Sequence, residues 1–399
     1  MRVIFVNRYF APDQSATARM LHGVAAGLQQ RGFEVHVVTS RQTIDAPGAN
    51  LSVAETVNGI HVQRVWATRF GRQRLTLRVF DYLSFYWSAR RALKKTLRAG
   101  DVVVAKTDPP LLGAALSKTV QQHRALLVNW LQDLFPDLAV ALGILPADGL
   151  FANKLHQLRN NALAAAAANV VLDEQMARLV EPAVAPKSNV RVIPNWADGR
   201  RIVATPARER TGELTLMYAG NLGRAHDFDT VLAALADPRL DSGVRLVFVG
   251  TGAQRRKVQQ HCERAELRQK VEFREPVTDA ALAELLAAAD AHLVTSKPAA
   301  EGKVVPSKLY GAMAAGRPVV YVGGEAAPTS VLISEHDFGM GIAAGDVRGL
   351  VDALASLRDN PQRAAEMGAR ARSLFEQRFT LELAVEAWAH LIETLARKP

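Results

Sequence analysis

The chain has one cysteine in 399 residues, Cys262. That excludes an internal disulfide and any cysteine-rich metal centre. It has no long hydrophobic run. The fullest stretch, ALAAAAANVVL at 162–172, falls well short of the roughly 18 apolar residues of a membrane span. The opening MRVIFVNRYFAP is too short an apolar run for a secretory signal, so a cytoplasmic protein is expected. The first strand-to-helix loop, RYFAPDQSATAR, has no G-x-G-x-x-G, which argues against a standard NAD site. Acid is in short supply. Lys and Arg number 49 against 39 Asp and Glu, a net charge of +10, so an anionic partner is expected: a nucleotide, phospholipid head groups or nucleic acid.

The chain is too long for one ordinary core, and two domains of near 200 residues each follow from its length. Both halves alternate short β-rich runs with helical stretches. In the first half, RVIFVN at 2–7 and EVHVVT at 34–39 read as buried strands, and Ser15 to Arg31 between them reads as a helix with Met20, Leu21, Val24, Ala25 and Leu28 on one face. VAETVNGIHVQRV at 53–65 reads as a hairpin turning at Asn58-Gly59. DVVVAK, LLVNW and 169–172 read as further strands, with Asp173 opening a helix and VRVIP at 190–194 closing the domain. The polar stretch 199–213 reads as a linker. In the second half LTLMYA, RLVFV, 271–273, AHLVT and VVYV read as strands, and two long helical segments follow, with an Asn-Pro break at 360–361 and a final helix over 381–396.

Arg64 to Arg98 is the most unusual stretch. It carries ten Lys and Arg against one acid, Asp81, interleaved with Trp66, Phe70, Phe80, Tyr82, Phe85, Tyr86 and Trp87. Cations among aromatics suit an anionic membrane surface. The same mixture suits stacking on single-stranded nucleic acid, and it also fits a helix with aromatics in the core and cations in water.

The stretch SKPAAEGKVVPSKLYGAMAAGRPVVYV, 296–322, organises the second half. It reads as a loop leaving a strand, a helix from Lys308 to Ala315 capped by the Ser307 hydroxyl, a stop at Gly316 and a buried strand. A loop that leaves a strand and opens a helix is where α/β sheets bind phosphates. Lys303 and Lys308 add positive charge, and Glu301 offers a carboxylate to sugar hydroxyls. Gly220-Asn221-Leu222-Gly223-Arg224 follows an earlier strand in the same way, its glycines admitting a ligand close to the backbone. Asp227-Phe228-Asp229 is a D-x-D, but it opens a helix, where carboxylates cap amides, so no metal is expected there.

The run E-G-K-V-V-P-S-K-L-Y-G-A-M-A-A-G-R-P, 301–318, resembles the donor-site signature of family-4 retaining glycosyltransferases of the GT-B fold. It is most similar to the L-fucosamine and colanic-acid transferase-like subgroup of bacterial surface-polysaccharide synthesis. The resemblance extends from Met1 to about Ala389. It implies an α/β fold of two Rossmann-like domains facing each other across a cleft, an acceptor domain over 1–198 and a nucleotide-sugar domain over 199–379, with the terminal helix 380–399 returning to the first. It implies a nucleotide-sugar donor, UDP favoured over GDP, and a polyprenyl-linked saccharide acceptor, with no cofactor, no metal and no nucleic acid. The localisation implied is the inner face of the plasma membrane, held there through 64–98. Asp133 in QDLFPD, Lys308 and Arg224 are the catalytic candidates. Gly220, Asn221, Gly223, Arg274, Glu301, Lys303 and Ser307 are the donor-binding candidates, and Asp13, Ser15 and Thr17 the acceptor-side ones. The chain departs from the family where relatives carry a Gly-Gly pair near Asp13, an Arg at Asn221 and a Lys at His226. The two glutamates common in the family fall at Lys303 and Gly311. A non-hydrolysing sugar-nucleotide epimerase of the same fold is the alternative enzyme, and a basic nucleic-acid-binding protein the alternative of another class.

Overall fold

The computed structural model describes residues 1–44, 50–70, 75–206, 212–240, 243–265 and 267–397. The chain divides into two units, one of Met1–Pro194 with Leu381–Pro399 and one of Asn195–Thr380. The break falls at 194 rather than 198 because the segment after Pro194 pairs within the second unit. The Ala197 amide donates to the Phe379 carbonyl at 3.2 Å, and Ala197 bridges Thr380. Of the expected linker, residues 207–211 lie outside the described residues.

The first unit holds an eight-stranded sheet: β1 (Arg2–Val6), β2 (Glu34–Ser40), β3 (Ala54–Val57), β4 (Ile60–Val65), β5 (Val102–Lys106), β6 (Leu126–Trp130), β7 (Ala168–Val171) and β8 (Val190–Val192). Their order is β3-β4-β2-β1-β5-β6-β7-β8, and only the β3–β4 hairpin is antiparallel. Its turn needs two residues of positive φ, which Asn58 (49°) and Gly59 (79°) supply. The other pairings are parallel and need crossovers. The strands read as unbroken Val, Ile and Phe runs because helices cover them: β5 is buried throughout. Ile4, Val6 and Val103 pack with Phe85, Leu93 and Leu116 in one core. The terminal helix Leu381–Arg397 belongs to this unit, with Trp388 fully buried and its ring 4.8 Å from that of Trp130. Gly27 admits it, because a Cβ there would run into Val385.

The second unit holds a six-stranded parallel sheet: β9 (Leu214–Ala219), β10 (Val244–Val249), β11 (Val271–Arg274), β12 (Ala291–Thr295), β13 (Val319–Gly323) and β14 (Gly339–Ala343). The order is β11-β10-β9-β12-β13-β14. Leu216, Tyr218, Phe248, Leu293, Val320 and Leu350 lie in its core. Cys262 faces this core, and burial pushes its thiol up to about 11, which leaves it inert.

Each sheet has one place where the strand order changes direction. In the first unit it lies between β1 and β5, and in the second between β9 and β12. The carboxyl ends of the strands flanking such a point open into a crevice, and open α/β sheets bind ligands there.

Candidate functional sites

In the second unit the loop after β9 and the loop after β12 meet at that point. The ends of both strands are tied down, with Leu222 donating to the Thr251 carbonyl at 2.8 Å and Ser296 to the Val322 carbonyl at 2.9 Å. Gly220 takes a φ of 139°, and an added Cβ would come within 2.7 Å of Lys308 Cε. Backbone conformation therefore favours glycine there, and an added side chain would have to displace the end of the lysine. Lys308 opens a seven-residue helix, Lys308–Ala314, and its chain runs back under the loop. Its Nζ lies 4.7 Å from the centroid of the Tyr218 ring and 3.3 Å from His226 Nε2. Burial pulls the Lys308 ammonium down to about 8.

The other residues expected on the donor side lie in the loops after β9 and β12 and at the end of β11. Gly223 and Asn221 continue the loop, and the Asn221 carbonyl accepts from the Tyr218 hydroxyl at 2.7 Å. Asn221 and Arg224 are exposed. Glu301 is half-buried and accepts from the Gly324 amide and, at 3.3 Å, from the Tyr321 hydroxyl. Burial raises its carboxyl, against the pull of these bonds. Lys303 reaches the Glu301 carbonyl at 3.4 Å. The expected helix cap is corrected. Ser307 already has helical backbone, φ −63° and ψ −19°, and its hydroxyl makes no cap, so it stands exposed before Lys308. Arg274 turns its guanidinium to Glu272, at 2.6 Å from Nε, on the edge strand, and only its carbonyl joins the loop by accepting from the Gly250 amide at 3.1 Å. Asp227 accepts from the Thr230 amide at 3.1 Å, and Asp229 pairs with Lys257 at 3.2 Å on the surface.

In the first unit the corresponding point is lined by carboxylates and one buried lysine. The Arg8 amide donates to the Asp108 carbonyl at 2.7 Å and joins the ends of β1 and β5. Lys106 is 1% exposed. It donates to the Thr17 carbonyl at 2.8 Å, and its Nζ sits 4.3 Å from the Trp130 ring centroid. Lys106 and Asp133 both line a small recess, with Thr107, Asn129, Phe135 and Arg159. Burial brings Lys106 down to about 7, against the pull of Asp108 and Asp133. The recess and the repulsion of Asp108 push Asp133 up to about 6, against the pull of Lys106. Asp133 keeps an open face to water at the mouth of the recess. It does not cap the next helix, Asp137–Ala141, which starts after Pro136 without a side-chain cap.

Asp13 and Ser15 serve the backbone here. Asp13 accepts from Ser15 at 2.9 Å and from the Ile44 amide, and Ser15 caps its helix by accepting from Ala18 at 3.4 Å. Thr17 contributes its carbonyl to Lys106. The sequence reading missed Lys106 and Asp108 as site residues. The signal was there: a lysine ending a run of four apolar residues, DVVVAK, cannot face water along most of its length.

The basic stretch resolves into three parts. The helix Leu75–Thr96 buries Phe85, Ala89 and Leu93. Trp66, Phe70, Phe80 and Trp87 are more than half exposed, joined by Val79 and Leu83, and the Arg91 guanidinium lies 5.8 Å from the Trp87 ring. Arg64 is not part of a solvated face, being 2% exposed and engaged with Glu55 and the Ala11 carbonyl. The one acid, Asp81, is fully buried, pairs with Arg8 at 3.2 Å and accepts from Thr68 and the Phe70 amide. Arg72 and Arg74 lie outside the described residues.

With this geometry in view, residues 203–374 match the family model of glycosyl transferases group 1, and residues 15–196 match that of a glycosyl transferase 4-like domain. The two matches lie one in each half of the chain, and both models describe glycosyltransferases. The chain is 26% identical over 329 residues to a probable glycosyltransferase, WbjE, of Pseudomonas aeruginosa, covering 79% of each. Among solved structures it resembles the Alr3699/HepE protein of Anabaena in complex with UDP and glucose, at TM-score 0.72 and 17% identity, covering 99% of this chain and 100% of that one. It also resembles WaaG, a glycosyltransferase involved in lipopolysaccharide biosynthesis, at TM-score 0.69 and 18% identity, covering 98% and 99%. These structures share the two-domain α/β architecture of the GT-B fold. The fucosamine and colanic-acid subgroup is a finer assignment than these likenesses make. Among the described residues no helix is long and apolar enough to cross a membrane.

Proposed function

We propose that this glycosyltransferase moves a hexose-type sugar from a nucleotide-sugar, with UDP favoured over GDP, to a lipid-linked saccharide in the assembly of a bacterial surface polysaccharide such as lipopolysaccharide or exopolysaccharide. One observation carries the reading: a lysine ammonium lodged beside Gly220, at the strand-order reversal of a group 1 domain. A leaving diphosphate gains negative charge as the glycosidic bond breaks, and a cation fixed beside the departing oxygens stabilises it. Lys308 does this, with Arg224 and Lys303 as further cations of the loops. The Glu301 carboxylate accepts from sugar hydroxyls. The D-x-D aspartates are committed to Thr230 and to Lys257, which favours a reaction without metal.

Asp133 takes the acceptor. Held near pH 6 in its titration, it accepts the proton of the attacking hydroxyl in the deprotonated form. The exposed aromatics of 66–87, with Arg69 and Arg91 beside them, seat the protein on the anionic inner face of the plasma membrane, where a polyprenyl-linked acceptor resides.

The test is transfer from UDP- and GDP-sugars to polyprenyl-linked saccharides in vesicles, with the product read by NMR. Transfer from one nucleotide with the anomeric configuration retained is the result expected. Epimerised nucleotide-sugar formed without any acceptor would instead make the chain an epimerase.

A further inference from the structure

His226 lies in the loop after β9, next to the D-x-D, and nothing in the reaction outlined above uses it. Its Nδ1 is 2.7 Å from the Thr295 carbonyl oxygen at the end of β12. A carbonyl only accepts, so Nδ1 carries the proton and Nε2 offers a lone pair. An ammonium only donates, so the 3.3 Å contact between Nε2 and Lys308 Nζ runs from lysine to histidine. The ring is wedged edge-on to Tyr218, with centroids 5.7 Å apart, and lies 6.0 Å from Phe228. The backbone is fixed as well, because the His226 carbonyl accepts from Gln254 at 3.1 Å and its amide donates to Gly223 at 3.3 Å. Lys308 therefore meets an imidazole lone pair at its tip, the face of Tyr218 along one side and Gly220 on another. Burial and the neighbouring ammonium hold the imidazole neutral, its titration lowered to about 3. A lysine has four rotatable bonds, and without such a socket it would spread its charge over many positions.

We propose that His226 is a positioning residue of the donor site: anchored on the Thr295 carbonyl, its imidazole fixes the Lys308 ammonium beside Gly220, where the anionic oxygens of a nucleoside diphosphate bind. This rests on the donor-site reading above. His226 acts through Lys308, so its contribution to ligand binding exists only when that lysine is present.

The test is a double-mutant cycle on the full chain, with UDP and GDP affinities measured by calorimetry and folding checked by thermal unfolding. Lys308→Ala should weaken the preferred diphosphate at least tenfold, and His226→Ala about fivefold, on the scale of one lost orienting contact. In the Lys308→Ala background, His226→Ala should change nothing further. His226→Gln offers an acceptor where Nε2 was and should return affinity to within about twofold of wild type. Equal losses from His226→Ala in both backgrounds, or no rescue by glutamine in a protein that melts normally, would overturn the positioning role and leave the donor site standing. An unchanged affinity in Lys308→Ala would overturn the donor-site reading and this proposal with it.

Discussion

The two sheets reverse their strand order at equivalent places and line those places with opposite chemistry. In the second unit the reversal is bordered by Gly220, by a lysine whose ammonium rests on Tyr218, and by a loop carrying a second lysine. In the first unit it is bordered by Asp108, by Asp133 in its recess, and by a lysine sealed under Trp130 with its ammonium turned to a backbone carbonyl. The first arrangement leaves room against the backbone and adds charge, which suits phosphate. The second holds the Asp133 carboxyl raised toward neutrality, which suits a hydroxyl that must lose a proton. The fold supplies the position of both crevices, and the side chains give each its chemistry.

The comparison is broken most strongly by Asp133→Asn. Loss of a base typically costs two orders of magnitude or more, so kcat should fall roughly a hundredfold with UDP affinity unchanged. An equal fall in nucleotide affinity would place Asp133 on the donor side. Lys308→Ala comes next, with transfer reduced at least tenfold, about 1.4 kcal/mol, and diphosphate affinity reduced with it. Unchanged turnover would remove Lys308 from the mechanism. Gly220→Ala should weaken UDP severalfold, because alanine is strained at a φ of 139° and displaces Lys308. Tight UDP binding by that variant would show that the lysine has room to spare.

The pH profile sharpens the same contrast. Asp133, raised to about 6, is active when deprotonated, so kcat/KM should climb as pH rises through that value. Lys308, lowered to about 8, is active when protonated, so kcat/KM should fall as pH rises through that value. Asp133→Asn should erase the acid limb alone. The smallest effect belongs to the surface. Replacing Trp66 and Trp87 by serine should reduce retention on anionic vesicles severalfold and leave turnover on a soluble acceptor intact. Equal retention on neutral and anionic vesicles, or none on either, would deny the membrane role.

Much of this was legible in the residues. β-branched runs between helical stretches marked the strands, Asn58-Gly59 marked the hairpin, and the order of loop, lysine, helix and G-R-P marked the loop, the helix Lys308–Ala314 and the strand β13. What was not legible depends on contacts distant in sequence. The sequence shows ten cations between 64 and 98, but not that Arg64 is buried against Glu55, since 2% exposure is a property of packing. It shows a serine before a helix, but not that Ser307 already has helical backbone and forgoes the cap. Lys106 and Asp133 are 27 positions apart, and each tunes the other only because β5 and β6 are neighbours. Lys308 and His226 are 82 positions apart, and parallel pairing of β9 with β12 brings their loops together.

On the function proposed, the second unit holds a nucleoside diphosphate beside Lys308. A thermal-shift titration of the full chain with UDP, GDP, NAD and an RNA oligomer tests it most directly. Stabilisation by one nucleoside diphosphate, lost in Lys308→Ala, is the result predicted, and it names the donor base. No shift with either diphosphate, together with one from NAD or RNA, would contradict the claim.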